Sequence, residues 1–403
     1  MLEVISRSKE SYLMVQDVLP EKENKQKSGN VVKTNTKSFL ISAGFILILV
    51  LPLFDQWAGV SSGVKSTEKR ILTPFPRFDF PHVKTFIVQF DQYYKENFGW
   101  RNALFYQYSQ WKYKALSSSP LPDKVIAGKN GWFYPGNSMS RVAEQHRGLL
   151  PIRQDTLVSI ARRLKNLQDS LSRQGSKLYV LVAPDSYTIY PEHLPDYFSK
   201  VKRVTNFDRF KAYMNRHSTV PVIDVRSKLV ASKAKRVVYC QTDTHWNDYG
   251  SLLATLTSVD RIRQDFPYLV KPDLSNYDIK PQKGVGGDLV TMLALNSEVA
   301  DSVSYKIKPA GFLLARNTEI NDKYNGLPSQ RFVRAGGVAL RKSKLLLVGD
   351  SFSYSMDQFL SGYFSESYMV RSHKFDLNLV KTERPTIVMI EIVERNIGLL
   401  SLL

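Results

Sequence analysis

A short apolar run that ends at a serine constrains the fold of this chain more than any other feature. Residues 344–348 predict a buried strand, and Gly349, Asp350 and Ser351 follow it directly. The apolar side chains that come next have helical spacing: Met356, Phe359, Leu360 and Tyr363. A serine between a strand and a helix is typical of the carboxyl edge of an open α/β sheet, where such folds bind ligands. The pattern therefore predicts an α/β fold with a ligand site near Ser351.

The alternation of helix and strand extends along much of the chain. One helical face is formed by Leu157, Ile160, Leu164, Leu167 and Leu171. Residues 178–182, 220–225 and 386–390 predict further strands, with helices near residues 207–214 and directly after His245. Near-continuous apolar strands separated by helices predict a mainly parallel central sheet that is covered on both faces. We therefore expect a three-layer α/β/α domain.

Asp243 and His245 suggest a chemical role for Ser351. A serine hydroxyl barely ionises at neutral pH, so it attacks a carbonyl only when an imidazole takes its proton and a carboxylate orients that imidazole. In an extended loop, the spacing of two residues places the side chains of Asp243 and His245 on the same side of the backbone. Two interpretations stay open from these residues alone: a catalytic triad, and a structural turn beside an ordinary Asp–His hydrogen bond.

The composition excludes several classes of site and partner. Because Cys240 is the single cysteine, the chain has no intramolecular disulfide and no multi-cysteine zinc site. The six histidines lack ligand spacing, so we expect no metal and no cofactor. The net charge of +19 comes without a zinc-finger or RNA-recognition motif, so we expect no nucleic-acid partner. The charge suits anionic lipid headgroups or an acidic polymer, or it only keeps the surface solvated.

An uncharged apolar stretch near the N-terminus predicts a membrane anchor. Residues 39–54, extended to residue 60 across Asp55, approach the length of about 20 residues that a membrane helix needs. Two alternatives fit less well. A helix that packs on a soluble domain usually keeps a polar face, which this stretch lacks, and the apolar run of a cleavable signal peptide usually begins closer to the N-terminus than this one. Lysines are more frequent before the stretch than after it, which favours a cytoplasmic N-terminus. We predict a cytoplasmic tail (1–37), a transmembrane signal anchor (38–60), a helical juxtamembrane extension (61–120) and a catalytic domain (121–403).

Six short motifs occur in one order along the chain: residues 98–101, 128–134, 190–195, 243–246, 349–352 and 394–395. In this order they resemble the AlgJ/AlgX-like alginate O-acetyltransferase family, in its membrane-anchored form, which has an SGNH-hydrolase-like domain. In ordinary SGNH enzymes the serine block comes first, whereas here Asp243 and His245 precede Ser351. This reversed order is similar to the circular permutation of the family.

The resemblance implies a function and a location. It implies transfer of acetyl groups to hydroxyls of an exported polysaccharide, with Ser351 carrying the acetyl group, His245 acting as base and then acid, and Asp243 orienting His245. It also implies a single-pass protein of the bacterial inner membrane whose catalytic domain faces the periplasm. A multi-spanning membrane O-acyltransferase is the implied acetyl supplier. The net charge of +19 favours an acidic polymer as acceptor.

Further residues are candidates for substrate binding, and each has a structural alternative. The amide of Ser351 is the first candidate for an oxyanion donor, and Gly287 is a candidate for a second amide or for a tight turn only. Arg395 is a candidate for binding an acidic sugar, or for an ion pair with the glutamate beside it. Tyr190 and Trp246 are candidates for stacking on sugar rings, or for packing in the core.

Two rival functions are compatible with the same residues. An acetylated serine is an ester, and its fate depends on whether water or a sugar hydroxyl reaches it. A carbohydrate or acetyl esterase would therefore use the same triad as a transferase. A non-catalytic polysaccharide-binding or assembly subunit would not need the Ser351 hydroxyl at all.

Overall fold

The computed structural model describes residues 36–60, 72–198, 204–334 and 343–403. The α-helices of these residues are α1 (Thr36–Ala58), α2 (Val83–Asn97), α3 (Arg101–Leu116), α4 (Val142–Arg147), α5 (Gln154–Ser172), α6 (Ser186–Ile189), α7 (Asn206–His217), α8 (Arg226–Lys233), α9 (Asp248–Arg263), α10 (Asp288–Met292), α11 (Ser351–Leu360) and α12 (Leu377–Glu383). The strands are β1 (Val125–Ala127), β2 (Phe133–Pro135), β3 (Lys177–Ala183), β4 (Val222–Asp224), β5 (Tyr277–Gln282), β6 (Ser304–Pro309), β7 (Ala315–Tyr324), β8 (Leu327–Arg334), β9 (Lys344–Gly349), β10 (Glu366–Arg371) and β11 (Ile387–Val393).

The central sheet has seven strands in the order β4-β3-β11-β9-β10-β8-β7. The first five are parallel to one another, and β8 and β7 add an antiparallel hairpin at one edge. The predicted mainly parallel sheet is therefore confirmed, with a mixed edge that was not predicted. Because the parallel strands share one direction, β9, β10 and β11 all end at the same edge of the sheet.

Alternate side chains of β3 pack on opposite faces of the sheet. Tyr179 and Leu181 belong to a buried cluster with residues of α9 and α11. Leu178 and Val180 belong to a second cluster with residues of α5 and α7. This alternation is the period of two that a strand imposes on its side chains. It confirms the predicted three layers, with helices on both faces of the sheet.

Helix α1 covers most of the predicted membrane anchor. Its exposed apolar side chains include Phe39, Ile41 and Ile48. Across the described residues, no helix combines the length and the apolarity that crossing a membrane requires. The predicted transmembrane anchor is therefore not shown by the structure, and all but the last two residues of the predicted tail lie outside the described residues.

The predicted helical extension contains two helices, α2 and α3, with a break between them at residues 98–100. Gly99 lies in this break and packs against α1, where a Cβ atom would lie 2.3 Å from the carbonyl oxygen of Pro52. The amide of Trp100 donates a hydrogen bond to Oδ2 of Asp55, at 3.0 Å. Helix α1 thus contacts the chain where α2 ends and α3 begins, and this contact explains why the helical pattern is interrupted.

Candidate active site

Ser351 lies at the N-terminus of α11, directly after the central strand β9. Asp350 is the N-cap of that helix, and its Oδ1 accepts a hydrogen bond from the amide of Phe352 at 2.9 Å. A Cβ atom on Gly349 would lie 2.7 Å from Oε2 of Glu391, so only glycine fits between the strand and the cap. The predicted order of strand, serine turn and helix is confirmed.

The fold brings Asp243, His245 and Ser351 together. Nε2 of His245 lies 2.7 Å from Oγ of Ser351, and Nδ1 of His245 lies 2.6 Å from Oδ1 of Asp243. A neutral imidazole that donates from Nδ1 to a carboxylate has Nε2 available to accept a proton. The arrangement can therefore remove the proton of the Ser351 hydroxyl, because base, orienting group and nucleophile are all within hydrogen-bond reach.

The Asp243 carboxylate is held in its charged form. Burial alone would raise its pKa, but hydrogen bonds from His245 and the charge of that ring lower it, and the amide of Asp288 adds a further hydrogen bond. Together these interactions hold the pKa of Asp243 below its usual range. Asp243 is thus ionised at neutral pH and can stabilise an imidazolium on His245.

A second acid, Asp288, supports this loop and was not predicted. Its amide donates to Oδ2 of Asp243 at 2.8 Å, and its carboxylate accepts from the amide and the hydroxyl of Thr244, at 2.8 and 2.7 Å. A possible signal in the sequence was the run of glycines just before it, which indicates a close approach between two backbones. Asp288 fixes the segment that presents both Asp243 and His245.

Gly287 does not have the role of an oxyanion donor in this structure. Its amide donates to Oγ1 of Thr242 at 2.8 Å. A Cβ atom at this position would lie 2.5 Å from Cβ of Asp243 and 2.6 Å from the carbonyl oxygen of Thr242. Gly287 does not form a tight turn either: it is the N-cap of α10 with extended backbone, and a glycine is needed because it packs directly against the Asp243 loop.

A cleft of about 960 Å³ opens beside Ser351 at the carboxyl edge of the sheet. The end of β10 and the residues after it contribute Arg371, His373 and Lys374, the residues after β11 contribute Arg395, and the tip of the β7–β8 hairpin forms another wall. Sequence reasoning missed the basic residues at the end of β10, because only the fold places them beside the serine. The cleft can hold a ligand next to Ser351, and its basic groups favour a negatively charged one.

Arg395 lines this cleft and is also part of a buried ion pair. Its guanidinium pairs with Asp185, not with the neighbouring Glu394 as expected, and lies 5.6 Å from the centre of the Phe352 ring. Glu394 instead accepts from the amide of Asp185 and the hydroxyl of Thr188, at 3.1 and 2.7 Å. The predicted ion pair exists with a different partner, one that follows β3 in the chain.

Tyr190 and Trp246 are core residues, which corrects their assignment as sugar-stacking residues. They are 4% and 2% exposed, so neither ring has a face open to a sugar. The Tyr190 ring packs 4.1 Å from Trp132. Nε1 of Trp246 donates to the carbonyl oxygen of Phe352 at 3.1 Å and to the hydroxyl of Ser355 at 2.8 Å. Trp246 thus ties the His245 loop to the first turns of α11.

Two groups of side chains in the described residues are close enough together to hold a metal ion. They are Asp243, His245 and Asp288, and His146, Asp185 and Glu394. In the first group the ligand atoms already bond to one another and to Thr244, and in the second Arg395 supplies the positive charge. Because these partners already bind the ligand atoms, neither group needs a cation to balance it. The expectation of no metal stays a prediction.

Comparison with known proteins identifies the family. Residues 125–372, more than half of the chain, match the family described as "SGNH hydrolase-like domain, acetyltransferase AlgX". The chain belongs to this family. The match includes Asp243, His245 and Ser351, so the resemblance drawn from the sequence motifs is confirmed. The three-layer α/β/α domain therefore has an SGNH-hydrolase-like fold.

Individual relatives agree with this assignment. The chain is 29% identical over 177 residues to a protein named probable alginate O-acetylase AlgJ from Pseudomonas syringae pv. tomato, covering 43% of this chain and 42% of the relative. It is 24% identical over 234 residues to the protein of the same name from Pseudomonas aeruginosa, covering 57% and 55%. The chain thus spans about half the length of these relatives. Bacillus cereus PatB1 shares the fold, with a TM-score of 0.50 and 12% identity over 68% of this chain and 96% of PatB1.

Proposed function

We propose that this protein is an O-acetyltransferase that moves acetyl groups onto hydroxyls of an exported polysaccharide through an acetyl-Ser351 intermediate. The observation that carries the proposal is the hydrogen-bonded chain from Ser351 through His245 to Asp243, at 2.7 and 2.6 Å, beside an open cleft. Membership of an acetyltransferase family and relatives named as alginate O-acetylases support acetyl transfer as the reaction.

The first half of the reaction transfers the acetyl group to the protein. Oγ of Ser351 attacks the acetyl carbonyl carbon of the donor while Nε2 of His245 takes the hydroxyl proton. The oxyanion that forms lies near the amide of Ser351, which is one of the first amides of α11 and has no acceptor inside the helix. When the bond to the donor breaks, His245 gives its proton to the leaving group, and Ser351 is left as an acetyl ester.

The second half transfers the acetyl group to the acceptor. A sugar hydroxyl gives its proton to His245 and attacks the acetyl carbon, and the Ser351 oxygen leaves and regains the proton. Asp243 stays ionised throughout and stabilises the imidazolium. The basic residues Arg371 and Lys374 line the same cleft, so we propose that the acceptor is an anionic polysaccharide.

A direct test uses the full chain with a generic acetyl ester, with and without acidic and neutral oligosaccharides. Mass spectrometry follows the acetylated sugar, the released acetate and the mass of the peptide that contains Ser351. We expect acceptor-dependent transfer and an acetyl adduct on Ser351, both lost in Ser351→Ala. The half-buried Ser170 of α5, which lies away from the triad, gives a matched control, Ser170→Ala. If acetate is released at the same rate with and without sugars and no acetylated sugar forms, the protein is an esterase instead. Transfer that survives in Ser351→Ala would end the proposal.

We also propose a location and a supplier of acetyl groups. The uncharged stretch within residues 38–60 supports an anchor in the bacterial inner membrane, with the domain that contains Ser351 in the periplasm. A multi-spanning membrane O-acyltransferase would then deliver acetyl groups from the cytoplasmic side. Protease added to intact spheroplasts should digest a tag fused after Leu403. A tag that is protected until the membrane is broken would contradict this location.

A further inference from the structure

A buried glutamate lies directly beneath the serine turn and has no part in the reaction described above. Glu391 is on the central strand β11, is 3% exposed, and points its carboxyl group at the end of β9. Its Oε2 accepts a hydrogen bond from the amide of Asp350 at 3.0 Å. The residue that it holds is therefore the one that immediately precedes Ser351.

Asp350 transmits this contact to the nucleophile. Its two carboxylate oxygens accept hydrogen bonds from the amides of Phe352 and Val393, at 2.9 and 2.8 Å. Its carbonyl oxygen accepts from the hydroxyl of Ser353 at 2.7 Å. Asp350 thus joins the end of β11 to the first turn of α11, and a shift of Asp350 would move Ser351 with it.

Glu391 is built to remain a neutral acid. Burial, and then the charge of Asp350 and a hydrogen bond with its carboxyl group, raise the pKa of Glu391 well above its usual range. Its Oε1 is buried with no hydrogen-bond partner among the described atoms, so a full negative charge there would not be stabilised. A neutral carboxyl accepts from the Asp350 amide without placing a second negative charge beside the Asp350 carboxylate.

Few other titratable groups surround this pair. They are Asp357 on α11, Arg395 after β11, and Asp185 with its partner His146, which come from the segment after β3 and from α4. The charge of Arg395 acts on Asp350 from one side, but Arg395 is itself paired with Asp185. The described surroundings therefore offer Glu391 no positive partner of its own.

We propose that Glu391 is a positioning residue that fixes the turn of Gly349, Asp350 and Ser351 and so holds the Ser351 hydroxyl within reach of His245. The inference rests on the proposed role of Ser351 as nucleophile. Glu391 touches neither the substrate nor the reacting atoms. It acts through Asp350, and its effect is on the rate at which Ser351 is acylated rather than on binding of the acetyl ester.

The test measures acylation of Ser351 in the full chain at neutral pH, with a sulfonyl fluoride that labels activated serines and with an acetyl ester. The variants are Glu391→Ala, which removes the contact, and Glu391→Gln, which keeps an acceptor for the Asp350 amide but cannot ionise. Glu383→Gln is the control, because Glu383 is also buried but pairs with Arg331 and Lys344 away from the serine. Thermal unfolding of each variant is measured in parallel.

We expect Glu391→Ala to slow labelling on the order of 100-fold with little change in KM, since a nucleophile displaced by about 1 Å loses that much rate. Glu391→Gln should recover most of the rate, because its amide oxygen still accepts from the Asp350 amide. If Glu391→Ala does not fold, Glu391→Gln decides, since it should label at close to the wild-type rate. A folded Gln variant that has lost most of the labelling rate, or an Ala variant that labels at the wild-type rate, would overturn the inference. Ester turnover that survives in Ser351→Ala would instead overturn the proposed function.

Discussion

The protein contains two Asp–His pairs at the carboxyl edge of its sheet, and they differ in what surrounds them. Asp243 and His245 are 22% and 29% exposed at the side chain, lie 2.6 Å apart, and present the second ring nitrogen to a serine hydroxyl. Asp185 and His146 are 1% and 5% exposed and lie 3.3 Å apart. Asp185 is also bound by Arg395, and the His146 ring is stacked on Tyr187 at 4.8 Å. An Asp–His pair thus becomes a candidate site only when its free nitrogen faces a nucleophile beside a cleft.

The largest expected difference between the pairs comes from replacing each aspartate by asparagine. Asp243→Asn should lower the acetyl-transfer rate by about 10⁴-fold, because an amide no longer selects the tautomer that leaves Nε2 as a base. Its loss of unfolding free energy should be smaller than that of Asp185→Asn, since the Asp243 side chain is more exposed. Asp185→Asn should leave Arg395 buried beside a neutral group and cost about 3–5 kcal/mol of unfolding free energy. Steady-state kinetics and chemical denaturation measure the two effects. If both variants lose transfer rate in the same proportion to their loss of unfolding free energy, the two pairs do not differ in role.

A smaller effect is expected from crowding the first pair without touching its charges. Gly287→Ala places a Cβ atom 2.5 Å from Cβ of Asp243, so the Asp243 loop must move. We expect a loss of transfer rate of about 10- to 100-fold, because His245 moves with Asp243. Gly398→Ala is the matched control, since nothing lies within 4 Å of a Cβ atom there. A Gly287→Ala enzyme with the wild-type rate would show that the loop tolerates displacement.

Lowering the pH should show that the carboxylates of Asp243 and Asp185 contribute to the stability of the fold. Burial raises the pKa of Asp185, but the charges of Arg395 and His146 and their hydrogen bonds outweigh it, so its pKa is lowered, as is that of Asp243. A lowered folded-state pKa contributes stability that is present above the unfolded value, near 3.8, and is lost as pH falls through the folded value. We expect Asp243→Asn to flatten the fall of the unfolding free energy below about pH 4. An acid limb identical to that of the wild type would contradict this sign.

The smallest expected effect concerns the cleft beside Ser351. Lys374→Ala should raise KM for an acidic oligosaccharide by about fivefold or less, since an exposed charge contributes about 1 kcal/mol at most. The same change should leave KM for a neutral acetyl ester unaltered, and added salt should shrink the difference. Kinetics with both substrates at two ionic strengths measure it. An equal change of KM for both substrates would argue against charge recognition.

The sequence predicts those parts of the site that follow from local periodicity. The strand before Gly349 and the helix after Ser351 are visible because apolar residues repeat with the spacing of each element. Asp243 and His245 are visible because they are two residues apart. The layers of the sheet follow from the same periodicity, and the hairpin between β7 and β8 carries an Asn325–Gly326 signal that was overlooked.

Other contacts depend on distances that only the folded chain defines. Arg395 pairs with Asp185 rather than with its neighbour Glu394, because β3 and β11 are adjacent strands and end side by side. Asp288 supports Asp243, and the glycines before it indicate a close approach between backbones without naming the partner. Burial of Tyr190 and Trp246 could not be read either, because an aromatic side chain is equally suited to a core and to a sugar.

The β7–β8 hairpin gives the cleft a wall that is independent of the chemistry. Its tip, with Tyr324, Asn325, Leu327 and Pro328, lines the cleft, yet Ser351, His245 and Asp243 all come from other segments. An edge hairpin can change in length or composition without disturbing the parallel strands at the centre of the sheet. Ligand contacts at the hairpin tip can thus vary independently of the hydrogen-bonded chain that ends at Ser351.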